Sequence, residues 1–136
     1  MASGGGEARQ ITKHGAAAAA ETADGRWVYY SKRAMFGSLW RVPAAGGDET
    51  LIVDERIGYW NWDIWNDRLV YLREEAGREP RIEMLDLQTR RTAAVASLGP
   101  TSRPGVGLSV SPDGRWALYS QTDQIISDIF MVENFR

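Results

Sequence analysis

Serine-type hydrolysis needs a nucleophile on a strained, rigid turn beside a histidine base and an orienting acid. This chain has a single histidine, His14, and no Gly-x-Ser-x-Gly segment. His14 is therefore read as a turn or surface residue, and no catalytic residue is assigned. One histidine also excludes a multi-histidine metal site. The lack of cysteine excludes disulfides, thiolate zinc centres and a cysteine nucleophile. Acid–base chemistry by paired carboxylates has close candidates in Asp54-Glu55, Glu74-Glu75, and Asp123 with Asp128. None stands in an Asp-x-Asp-x-Asp-Gly calcium loop. They read as solvated faces and turn residues, and neither a metal nor a cofactor is expected.

Aromatic side chains are more concentrated. Tyr59, Trp60, Trp62 and Trp65 fall within seven residues. On an extended strand, Trp60 and Trp62 project to one face while Tyr59, Asn61 and Asp63 project to the other. Two uses fit this pattern. One is packing between stacked sheets. The other is a ligand platform formed by Tyr59, Trp60, Asn61, Trp62 and Asp63. There an exposed indole would stack on a sugar or a peptide aromatic, with polar contacts from Asn61, Asp63 and Arg56. The arginines Arg78, Arg81, Arg90 and Arg91 fall at expected hairpin tips and read as solvated.

Such residues need a scaffold, and the chain has the composition of one folded domain. It has 136 residues, 43% hydrophobic and 25% charged, with a formal charge of -2. That length supports a core without staples. No basic excess points to nucleic acid or to an anionic membrane surface. No apolar run reaches the ~18 residues that cross a bilayer. Residues 1–8 (MASGGGEA) read as a flexible leader. Met1–Gln10 has no apolar stretch of the signal-peptide kind, so the compartment stays open between periplasm and cytoplasm.

From Gln10 onward the pattern is β. Trp27-Val28-Tyr29-Tyr30, Leu69-Val70-Tyr71-Leu72 and Trp116-Ala117-Leu118-Tyr119 each follow turn chemistry. The turns are Asp24-Gly25-Arg26, Asn66-Asp67-Arg68 and Asp113-Gly114-Arg115. Gly25 and Gly114 supply the positive φ of a tight turn, and Asp24 and Asp113 accept hydrogen bonds from nearby amides. These are structural assignments. The turns recur after about 42 and then about 47 residues. The next strands recur with them, as Leu39–Val42, Ile82–Leu85 and Ile129–Val132.

A period near 40–45 residues with four strands per unit is the pattern of propeller blades. First strands are expected at Ala16–Glu21, Tyr59–Trp65 and Gly107–Val110, and fourth strands at Glu49–Asp54 and Thr92–Leu98. The blades then span about 16–54, 58–98 and 105–136 within a unit at 9–136. The third blade has no fourth strand, and Arg9–Thr12 reads as an orphan one that closes a ring.

Ser111-Pro112-Asp113-Gly114-Arg115-Trp116 followed by Leu118-Tyr119-Ser120 resembles the WD40-like repeat of TolB-type β-propellers. Ala23–Ser31 is a second copy, and Leu39–Pro43 with Gly46-Gly47 is similar to the family's next strand and turn. The resemblance covers residues 10–136, and the second unit departs from it, with Trp65-Asn66-Asp67 in place of Pro-Asp-Gly. It implies a six-bladed ring used as a recognition platform, without chemistry of its own. Three blades per chain imply that two copies close one ring, with Gln10–Thr12 of each completing the last blade of the other. The expectation is an all-β, non-enzymatic binding or assembly module that recognises a protein or peptide and forms a homodimer. It takes neither nucleic acid nor membrane as a partner. The runner-up is a regulatory or sensory propeller fragment of a larger bacterial protein with a winged-helix, kinase or peptidase domain.

Overall fold

The computed structural model describes residues 6–122. The expected strand Ile129–Val132, the pair Asp123 and Asp128, and most of the leader lie outside the described residues. Ten strands and no helix occur among those described. Strands β1 (Ala18–Glu21), β2 (Trp27–Ser31), β3 (Phe36–Pro43) and β4 (Thr50–Gly58) form one antiparallel meander. Strands β5 (Trp62–Trp65), β6 (Arg68–Arg73), β7 (Arg81–Asp86) and β8 (Thr92–Ser97) form a second. A hairpin follows, β9 (Pro104–Val110) with β10 (Ala117–Gln121). Sequential four-stranded meanders are the sheets a propeller blade requires. No helix among the described residues is long and apolar enough to cross a membrane.

Alternation along the strands divides each sheet into two faces. We call leading the face turned toward the next unit in the chain, and trailing the face turned toward the previous one. On the first sheet Ala18, Tyr29, Leu39 and Val53 lead. They bury against Trp62, Leu69, Tyr71 and Leu85 on the trailing face of the second sheet. On the leading face of that sheet, Val70, Leu72 and Ile82 close a second core with Leu108 of the hairpin. Burying one such side chain contributes about 1.5–3 kcal/mol. These two layers therefore hold the three units together.

The two Asp-Gly turns share the same hydroxyl and amide hydrogen bonds. The Thr22 hydroxyl donates to Asp24 Oδ1 at 2.6 Å, and Ser111 donates to Asp113 Oδ1 at the same distance. The same hydroxyls accept the amides of Trp27 and Trp116 at 3.1 and 3.0 Å. Gly25 and Gly114 have φ of 66° and 69°, as the turn chemistry required. The threonine hydroxyl first, then the Arg26 amide, hold the Asp24 carboxyl down at about 2. Ser111 first, then the Arg115 amide, lower that of Asp113.

The middle unit differs. Trp65 pairs with Arg68 across only Asn66 and Asp67, with φ of 52° at Asn66. In the outer units four residues separate the equivalent pair, Thr22 with Trp27 and Ser111 with Trp116. The shorter turn shifts the register that sequence spacing suggested. The counterpart of Tyr29 that faces the next sheet is Val70, while Tyr71 turns back toward the first sheet.

Strand β4 continues to Gly58, past the expected end at Asp54. Residues 9–12 are coil and join no ladder among the described residues. The segment is tied to the first sheet instead. Arg9 donates to the carbonyls of Ala44 and Ala45, and the Lys13 amide donates to Glu49 Oε1 at 2.8 Å. Glu49 also meets Lys32 Nζ at 2.8 Å and His14 Nδ1 at 3.2 Å. The Lys32 ammonium first, then the Lys13 amide, hold its carboxyl at about 2 against an ordinary 4.5. A depressed carboxyl stabilises its contacts above the unfolded pKa and loses them as pH falls through the folded one. The tie is thus expected to release between about 4.5 and about 2. Hydrogen exchange at the Lys13 amide checks this. Protection should fall across that window, and Glu49→Gln should remove the pH dependence.

Candidate functional site

The aromatic segment does not form the continuous strand that spacing suggested. Because β4 runs to Gly58, a turn must follow, and the Asn61 amide closes it on the Gly58 carbonyl at 2.9 Å. Tyr59 and Trp60 form the tip of this turn, and β5 begins only at Trp62. Trp60 and Trp62 consequently do not share a face. Trp60 is 46% exposed, whereas Trp62 is buried and donates its indole N–H to the Tyr59 carbonyl at 2.8 Å. The Tyr59 and Trp60 rings lie 5.9 Å apart at 53°.

Asn61 and Asp63 join the second sheet to the hairpin. Asn61 is buried, donates Nδ2–H to the Gly105 carbonyl at 3.0 Å, and accepts the Gly107 amide at 2.7 Å. Asp63 Oδ2 accepts the Val110 amide at 2.8 Å and the Ser109 hydroxyl at 3.3 Å. The Trp60 carbonyl accepts the Leu108 amide at 3.0 Å. Trp65 donates to the Pro112 carbonyl at 3.1 Å and lies against Gly114, where any Cβ would strike its ring. Of the five candidate binding residues, Asn61, Trp62 and Asp63 are thus engaged in packing and inter-unit bonds. Tyr59 is half-buried against the first core, and Trp60 is exposed.

Beside Tyr59, the loops at one end of the strands converge. Met35, Phe36, Tyr59, Glu74 and Val106 border a mainly apolar depression of about 250 Å³. The Tyr59 amide donates to the Met35 carbonyl at 3.0 Å, which fixes the first two loops together. Arg56 stacks on Phe36 at 4.2 Å. Met35 and Val106 are well exposed.

Sequence adjacency missed the main charged cluster. Arg73 Nε meets Glu55 at 2.7 Å across the first two sheets, and Arg73 Nη1 meets Glu83 at 3.4 Å. Arg81 pairs with Glu83 at 2.6 Å and with Glu75 at 3.5 Å, and the Tyr71 hydroxyl donates to Glu83 at 2.8 Å. Burial pushes the Glu83 carboxyl up, but Arg81, Tyr71 and Arg73 outweigh it and hold it below its ordinary range. Burial, followed by its carboxylate neighbours, raises that of Glu55 despite Arg73. Two carboxyls pushed apart can serve as acid and base. Here the Glu83 oxygens are already taken by two arginines and a phenol, which suits cohesion between sheets. Among the described residues no cluster of three or more acids or histidines suits a metal ion.

Comparison with known proteins gives no match to a family model, a curated protein or a solved structure. The chain's function must therefore be argued from its own surfaces.

Proposed function

We propose that this chain is a non-enzymatic binding and assembly module, a three-blade half of a six-bladed TolB-like ring that a second copy completes. One observation supports this reading above the others. Trp27 and Tyr29 lead the first sheet, and the second sheet covers them: Tyr29 is 2% exposed and Trp27 packs against the same core. Trp116 and Leu118 occupy the same places after an identical turn, yet they are 67% and 73% exposed. The hairpin thus presents a leading face with no following sheet among the described residues. Within the repeat the trailing face of the following sheet covers this position, and the first sheet of a second copy would supply one. The apolar depression beside Tyr59 would then open on one face of the ring, where it suits a protein or peptide side chain.

Light scattering on a size-exclusion column tests the assembly. The expected mass is twice that of one chain, and Leu118→Glu should halve it while far-UV circular dichroism keeps its β signature. A folded wild type with the mass of one chain would overturn the reading.

A further inference from the structure

At the opposite end of the strands, the turn side of the first two sheets encloses a cleft of about 380 Å³. Its wall includes Arg41 of β3, whose guanidinium carbon sits over the Trp27 ring, 4.0 Å from its centre. The ring helps hold the cation in place, with its N–H edge as the donor surface. That edge is poorly used. Nη1 makes one long bond of 3.4 Å to the Tyr29 hydroxyl, and the buried Nε has no acceptor. No carboxylate among the described residues pairs with Arg41. The buried Nε lacks an acceptor, and the partly exposed remainder of the guanidinium lines the cleft without an anion, so a charged acceptor there has a place to bind.

The nearby acids do not supply it. Asp24 is held by Arg26, Thr22 and the Arg26 amide. Asp67 accepts the Gln88 side-chain amide at 2.9 Å. Both nevertheless place negative charge on the cleft wall, which penalises a dianion such as phosphate. A monoanionic, planar acceptor that meets the guanidinium edge with two oxygens fits better. Asn66 on the far wall offers an amide for a neighbouring polar group.

We propose that this cleft is a carboxylate-binding site centred on Arg41, which takes a small organic acid or the C-terminal carboxylate of a peptide. The volume is at the small end for ligand pockets, which suits a group of that size. The proposal does not depend on ring closure, since the cleft is formed within one chain.

The test is titration of the full chain followed by nitrogen-15 NMR, reading the Arg41 side-chain Nε–H and the Trp27 indole. The probes are acetate, triglycine, triglycine amide and inorganic phosphate. Acetate and triglycine should shift both signals saturably, with phosphate at least about tenfold weaker. If triglycine binds more tightly than acetate and its amide fails, the source is a peptide terminus. Equal binding of acetate and triglycine assigns a free acid. Arg41→Met should abolish the shift at the Trp27 indole. If that variant does not fold, Arg41→Lys should weaken the acetate response roughly tenfold by losing the planar fork. The absence of a saturable shift with acetate or triglycine, or an unchanged Trp27 shift in a folded Arg41→Met protein, would overturn the proposal.

Discussion

Glu83→Ala is expected to cost about 3–5 kcal/mol of unfolding free energy, the usual effect of removing one partner from a buried charge cluster. Glu83 is 4% exposed and accepts from Arg81, Arg73 and Tyr71. Its loss leaves two guanidinium groups and a phenol facing a void at the joint between the first two sheets. A fall of this size is a large fraction of the ~5–15 kcal/mol that stabilises an ordinary domain. Urea denaturation measures it, and a change below about 1 kcal/mol would mean that water already satisfies the cluster. The pH dependence adds a second signature. The carboxyl of Glu83 is depressed, so its contribution is complete above its unfolded pKa, ordinarily 4.5, and is lost as pH falls through the lower folded value. Glu55 has the opposite sign. Its carboxyl is raised, so its ionisation opposes folding above the folded pKa, and acidification relieves that cost. Acid unfolding should therefore be shallower in the wild type than Glu83 alone would give, and Glu55→Gln should steepen it.

How far the sequence revealed this molecule depended on the reach of each interaction. Turn chemistry acts over four to six residues, so Asp24-Gly25 and Asp113-Gly114 were legible, with hydroxyl and amide partners close in sequence. Short apolar runs after those turns, recurring at a near-constant spacing, likewise marked nearly every strand among the described residues. Register depended on a finer signal. Asn66-Asp67 marks a two-residue turn, and two residues fewer than in the outer units change which side chains face the next sheet. The aromatic segment misled for a related reason: alternation presumes an unbroken strand, and β4 ends in a turn at Gly58–Asn61. The charged cluster joins residues from β4, β6 and β7 and the loop between the last two, which sequence adjacency cannot report. Its one local sign was an acid inside the apolar run Ile82-Glu83-Met84-Leu85. Arg41 within Leu39-Trp40-Arg41-Val42 carries the same sign. In both strands the charged residue in the apolar run marks the place where the sheets meet around something polar.

Asn61→Ala is expected to detach the hairpin from the second sheet, whereas Trp60→Ala leaves it in place. The asparagine amide supplies both a donor and an acceptor to the backbone of β9, at Gly105 and Gly107. Alanine provides neither, and the two part-buried backbone groups lose their partners at up to about 1–3 kcal/mol each, the cost of a buried group, reduced where water reaches them. The small core around Leu108 and the Asp63 bonds oppose the loss, so the first two sheets should remain folded while the hairpin opens locally. Hydrogen exchange separates these outcomes. Amides of Gly107, Leu108 and Val110 should lose protection together in the variant, while those of β2, β3 and β6 keep theirs. The hydrogen bond from β9 to Trp60 is accepted by its backbone carbonyl, which truncation of the side chain preserves. Trp60→Ala should thus leave protection in β9 unchanged and alter only what the exposed ring contacts from outside. Equal loss of protection in the two variants would mean that the Trp60 ring itself packs the joint, and the surface around Tyr59 would lose its claim as a recognition site.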